Sequence, residues 1–150
     1  RLHHSQSSLI LDDHKGFYPY ITRYDWVTGL GFSEKGARMG FNLTDNQVKN
    51  QELYNENALW IDGQLHLLPP VSITRPQGPK GTWLIKDQEG QVDLQFLPVT
   101  FTSVHLNLLI LKSKYEGPYG YFQGTLKKDN GDPVKISNFF GVGEDFYLRS

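Results

Sequence analysis

Apolar residues in this chain rarely recur at the three- and four-residue spacing that gives a helix its buried stripe. They alternate instead, in short runs set off by Gly, Pro, Asn and Asp. A period of two is the signature of a strand with one face toward a core. Tyr20 to Thr28 is a long example, with Tyr20, Thr22, Tyr24, Trp26 and Thr28 on one face and Ile21, Arg23, Asp25 and Val27 on the other. Ala58 to Ile61, Asp62-Gly63, then Gln64 to Leu67 predicts a tight hairpin, because Asp-Gly suits a type I′ turn.

The same reading along the chain predicts a short apolar strand at Leu9 to Leu11 and a turn from Asp12 to Gly16. It predicts a glycine-bearing turn from Gly29 to Gly36, a return strand from Ala37 to Leu43, and a polar loop with one helical turn from Thr44 to Asn55. Further strands are expected at Val71–Thr74, Trp83–Lys86, Val92–Leu97, Thr102–Lys112, Tyr119–Lys128, Pro133–Phe140 and Val142–Leu148, with Arg75 to Gly81 as a Pro/Gly loop. Nine or ten strands without βαβ alternation predict an all-β sandwich or barrel. Long consecutive hairpins favour an antiparallel up-and-down barrel with no open edge. The 150 residues suit one domain, 1–150, and no internal boundary or repeat shows.

Composition narrows the function classes. With 15 basic and 16 acidic residues the net charge is −1, which builds no basic field for nucleic acid or an anionic membrane. Cysteine is absent, which excludes disulfides and thiolate chemistry. The longest apolar run, Leu108 to Leu111, is far too short to span a bilayer, so no membrane insertion is expected. No signal peptide is visible; the compartment is left open, with the cytoplasm slightly favoured. The chain starts at Arg1 rather than Met, so it is expected to be a piece of something longer. The aromatic complement of 3 Trp, 8 Tyr and 9 Phe is large, and rings fit both a pleated core and a ligand pocket.

Three groups of residues can carry chemistry. In the stretch Phe17 to Trp26, Arg23 and Asp25 share a strand face, where they can pair, or Arg23 can bind an anion while Asp25 orients it. Tyr20 and Trp26 on the opposite face can line an apolar pocket; the plainer account is a packed aromatic core with a surface ion pair. Glu56, between Asn55 and Asn57 and ahead of Ala58-Leu59-Trp60-Ile61, can serve as a proton donor at a strand mouth, or simply as turn chemistry. Glu144 and Asp145 after Gly141-Val142-Gly143 can act as a carboxylate pair, or lie in a solvated turn. The five histidines, His3, His4, His14, His66 and His105, show no ligand spacing, so no metal site and no cofactor are expected. No nucleophile elbow or phosphate-binding glycine loop is present.

At these residues the sequence resembles the bacterial domain-of-unknown-function family 2804, in particular its C-terminal half. The resemblance runs through Gly16 to Trp26, Gly40-Phe41-Asn42-Leu43, Glu56-Asn57-Ala58-Leu59, Asp62-Gly63, Trp83, Gly90-Gln91-Val92-Asp93-Leu94, Phe96 to Pro98, Leu106-Asn107-Leu108 with Ser113, Gly120-Tyr121-Phe122-Gln123-Gly124, and Gly141 with Glu144-Asp145. It implies a lipocalin-like, calycin-type barrel, with two-domain relatives that include carotenoid hydratases and a second β-domain of the same protein N-terminal to this one. It adds weight to Arg23, Trp26, Asn42, Glu56, Asn57 and Glu144. The chain departs from the family pattern at Glu116-Gly117, where His-Gln is common, at Phe146, where a His is common, and at Ile21, where an Arg is common.

Three functions follow as expectations. The first is a module that binds a hydrophobic or amphipathic small molecule inside an aromatic-lined barrel, with Arg23 on its polar head and Trp26, Tyr20, Asn42, Asn57 and Glu144 around it. The second is a metal-free acid/base enzyme, hydratase- or isomerase-like, with Glu56 as catalytic residue on a lipid- or isoprenoid-like substrate. The third is a structural or interaction β-domain.

Overall fold

The computed structural model describes residues 9–12 and 16–150. His3, His4 and His14, the N-terminal Arg1–Ser8 segment and most of the Asp12–Gly16 turn lie outside the described residues.

Among the described residues, nine strands and one helical turn follow in order: β1 (Ile21–Phe32), β2 (Arg38–Asn46), α1 (Gln51–Tyr54), β3 (Ala58–Ile61), β4 (Gln64–Leu67), β5 (Ser72–Thr74), β6 (Trp83–Lys86), β7 (Val92–Asn107), β8 (Lys112–Lys127) and β9 (Pro133–Arg149). All pair antiparallel in one sheet of order β4-β3-β2-β1-β9-β8-β7-β6-β5. The predicted β3–β4 turn is present, with Asp62 and Gly63 at φ of 47° and 83°, as a type I′ turn requires.

Several boundaries differ from expectation. Val92–Leu97 and Thr102–Lys112 were expected as two strands; Val92 to Asn107 is one strand, β7, with its register shifted between Pro98 and Thr100. A bulge lets the ladder continue through a proline that cannot donate to it. Pro133–Phe140 and Val142–Leu148 likewise merge into β9, because Gly141 and Gly143 sit in the ladder rather than in a turn. Gly29 and Gly31 fall inside β1, and the turn is at Ser33–Ala37, closed by Ser33 N–H to Ala37 O. Residues 9–11 form no strand.

The sheet curls around one core. Phe41 of β2 meets Phe122 of β8 edge-on, with ring centroids 5.0 Å apart, although β1 and β9 stand between their strands in the sheet. A flat sheet would set those strands about 14 Å apart. Val27, Leu43, Trp83, Ile85, Leu94, Phe96 and Phe139 fill the same interior. Around these rings the core face is filled by side chains. Glycines make room for the rings: a Cβ on Gly29 would lie 2.8 Å from the Phe41 ring, and one on Gly143 would lie 2.8 Å from Trp83.

The sheet is all-β and antiparallel as expected, but it stays open between β4 and β5, which stand at its two ends. The link Leu68–Val71 joins these ends in sequence, so they lie within about 18 Å of one another. Side chains close the seam. Buried Asn57 accepts the Thr44 backbone N–H at 2.7 Å and donates to Pro69 O at 2.8 Å, while its own carbonyl accepts from Leu68 N–H. Asp45 of β2 accepts the Ile73 N–H of β5 at 3.3 Å.

Candidate functional site

Alternation in β1 sends its odd and even residues to opposite faces. Val27 enters the core, whereas Thr22, Tyr24 and Trp26 point to the outer face. Trp26 stands opposite Thr44 of β2 and Glu144 of β9, so the same face collects residues from three adjacent strands. There Arg23, Tyr24, Trp26, Asn42, Glu56 and Glu144 line one cavity of about 400 Å³.

The wall of this cavity is tied by hydrogen bonds. Trp26 Nε1 donates to Asn42 Oδ1 at 2.7 Å, and Asn42 Nδ2 donates to the Glu56 backbone carbonyl at 2.9 Å. Asn42 thus anchors both the indole and the chain entering β3. Glu144 accepts from two phenols, Tyr115 Oη at 2.9 Å and Tyr24 Oη at 3.3 Å. Burial, and next the hydrogen bond and charge of Glu144, push the Tyr115 phenol up to about 12. Burial followed by the Glu144 charge also holds Tyr24 above the usual tyrosine range. Both hydroxyls therefore stay protonated at neutral pH and keep the carboxylate in place. Phe146, where the family pattern commonly has a His, stacks on Tyr24 at 4.9 Å.

Five predicted residues, Arg23, Trp26, Asn42, Glu56 and Glu144, border this pocket: Trp26, Asn42 and Glu144 from the face away from the core, Arg23 from the rim and Glu56 from the loop before β3. The other two predicted binding residues lie apart. Tyr20 is exposed and does not line the cavity, because β1 begins only after it. Asn57 is buried in the seam, where both ends of its amide are occupied. Glu56 has an exposed side chain, and the bond it makes to Asn42 runs through its backbone.

Two pairings differ from the sequence reading. Asp25 does not pair with Arg23; it takes Arg75, which follows β5, in a two-pronged ion pair that includes Nη1 to Oδ2 at 3.2 Å. Arg75 also lies over the Trp83 ring at 4.0 Å. Arg23 is exposed at the rim, with its backbone N–H held by Gln47 Oε1 at 2.7 Å. Glu144 and Asp145 form no carboxylate pair, since neighbours in a strand face opposite ways. Asp145 takes Lys114 at 2.8 Å on the core side.

That inner side carries an acidic row. Asp45, Asp25, Asp145 and Glu116 are in register across β2, β1, β9 and β8. Burial raises the Asp25 pKa; Arg75 offsets part of the rise, and Asp145 and Asp45 add to it. Lys114 is held above its ordinary value: burial works against it, but the hydrogen bond and charge of Asp145 and the charge of Glu116 outweigh that. Glu116 is buried, with Lys114 at 3.5 Å and His105 at 3.4 Å. A second cavity of about 770 Å³ opens over Asp25, Arg75, Lys114 and Asp145. Its charges pair largely with one another, so they have less to offer a ligand than the outer pocket does. Among the described residues, no group of three or more His, Asp or Glu is placed to hold a metal ion, and no helix is long and apolar enough to cross a membrane.

Sequence reading missed Tyr115 and Arg75. Each reaches its partner from another strand or from beyond one, and a single sequence gives spacing within a strand but not register between strands.

The family profile described as "Domain of unknown function (DUF2804)" matches residues 1–149. The chain belongs to the DUF2804 family. No curated protein matches this DUF2804 chain in sequence. In fold it is similar to a crystal structure from Nitrosomonas europaea described as an AttH, with a TM-score of 0.55 and 11% identity over 96% of this chain. At that identity the likeness shows the fold alone. The DUF2804 chain spans 58% of the AttH chain's length.

Proposed function

We propose that this DUF2804 domain binds an amphipathic small molecule in the outer-face pocket. One observation carries the reading: residues from β1, β2, β9 and the loop before β3 converge on one cavity of about 400 Å³ that presents aromatic faces beside a few fixed polar groups. That mixture and size are typical of small-molecule sites. The Tyr115–Glu144–Tyr24 and Trp26–Asn42–Glu56 bonds pre-order the wall, and a pre-ordered wall lowers the entropy cost of binding. Arg23, Trp26, Asn42, Glu56 and Glu144 are the proposed contacts.

Native mass spectrometry of protein isolated from its own host tests this reading, with the Trp26 indole NMR resonance as a local reporter. One small molecule per chain is expected in the parent protein, and Trp26→Ala should lose it. The proposal falls if the protein is empty and no amphiphile shifts the Trp26 resonance.

A further inference from the structure

We infer that the outer-face pocket selects a ligand whose head is a positively charged nitrogen, an alkyl- or arylammonium amphiphile, rather than an anion held by Arg23. This rests on the ligand-binding reading above and names the ligand's chemistry.

The donors and acceptors of the wall lead there. Trp26 Nε1 is spent on Asn42, Asn42 Nδ2 on the Glu56 carbonyl, and the Tyr24 and Tyr115 hydroxyls on Glu144. Tyr115 makes its bond from outside the lining, and of the other lining donors Thr22 Oγ1 is given to Pro19 O and Asn46 Nδ2 to Thr44 Oγ1. A carboxylate carries about four lone-pair sites, so Glu144 keeps acceptor capacity after its two phenols, and the exposed Glu56 carboxylate adds more. Around Trp26 and Glu144 the wall therefore offers a ligand mainly acceptors and ring faces, with the Gln47 amide and Arg23 as further lining donors.

Charge points the same way. Among the described residues lining the cavity, Asp12, Glu56 and Glu144 stand against Arg23 alone. Arg23 sits at the rim and also borders the second cavity, where Asp25, Asp45 and Asp145 lie. An anion would meet three carboxylates and one shared guanidinium. An ammonium would meet those carboxylates and the Trp26 ring, a favourable cation–π surface.

The test compares three probes of equal tail length, decyltrimethylammonium, decyl sulfate and decyl glucoside, each titrated below its micelle concentration while the Trp26 indole resonance is followed. The ammonium is expected to bind saturably and about tenfold more tightly than the sulfate. Glu56→Gln, at an exposed side chain, and Glu144→Gln should each weaken it severalfold, while Arg23→Gln should strengthen it by removing a like charge. Tighter sulfate binding that Arg23→Gln abolishes would overturn the inference and leave the pocket standing. Equal binding of all three would overturn it as well. If none shifts Trp26, the pocket reading itself fails, and the inference with it.

Discussion

The Tyr115 hydroxyl of β8 donates to the Glu144 carboxylate of β9 at 2.9 Å, and Tyr24 of β1 reaches the other carboxylate oxygen. Three strands are thereby cross-tied on the outer face by one anion. A hydrogen bond to a charged acceptor is roughly twice as strong as a neutral one.

Alkaline pH should undo that tie. Both phenols ionise at higher pH in the folded protein than in the unfolded chain, Tyr115 at about 12. A raised phenol pKa stabilises fully below the unfolded value, about 10. That contribution is lost as pH rises from there through the folded pKa, because the unfolded state then binds fewer protons. Denaturant midpoints should fall across about pH 10 to 12, and phenolate absorbance should show late-titrating tyrosines. Glu144→Gln should bring those tyrosines earlier. A normal titration of all tyrosines in the folded protein would contradict this.

Asn57→Ala should destabilise by about 2–4 kcal/mol, since it strands the Thr44 N–H and the Pro69 carbonyl at the seam. Urea unfolding gives the magnitude. Amide exchange should quicken at Thr44 and Leu68 more than in β8 or β9; uniform loss of protection would argue against a seam role.

Arg75→Met should cost about 3 kcal/mol by leaving the half-buried Asp25 carboxylate without its partner. The double variant Arg75→Met/Asp25→Asn should recover much of that loss. A double-mutant cycle with no coupling would show that solvent already screens the pair.

Gly141→Ala should cost about 3 kcal/mol or more. Its Cβ would stand 2.0 Å from Thr28 O and 2.8 Å from Gly29 Cα, both backbone atoms that can move only with the sheet. Gly36→Ala is the control: that residue has a φ of +81° but nothing within 4 Å, so only the left-handed backbone is penalised, by about 1–2 kcal/mol. Equal losses at the two sites, read by chemical denaturation, would refute the close-approach argument.

Sequence made the strand period, the all-β class and the Asp62-Gly63 hairpin legible, because each depends on neighbours along the chain. It also picked out Arg23, Trp26, Asn42, Glu56 and Glu144, which the fold gathers at one pocket. The expectation was a pocket inside the barrel, whereas this cavity opens on the outer face. The outer face of β1 is as aromatic as a core face, and composition alone does not tell which side curls inward. The glycines carry that information: Gly29 and Gly141 fall between the expected strands and Gly143 within one, yet all three yield space to Phe41, Phe122 and Trp83. The Asp25–Arg75 pair was illegible for another reason. Its members are fifty residues apart, and they meet only because the sheet bends back on itself.

The pairing of β1 with β9 puts the first and last strands side by side in the middle of the sheet rather than at its margins. Removing the last seventeen described residues before Ser150 would therefore not trim a border. It would cut the ladder into two pieces, β4-β3-β2-β1 and β8-β7-β6-β5, left to the Leu68–Val71 link, the Asp45–Ile73 and Asp25–Arg75 contacts and the packing of rings such as Phe41 and Phe122. Within the sheet β9 is a keystone rather than a tail, since both of its edges are paired.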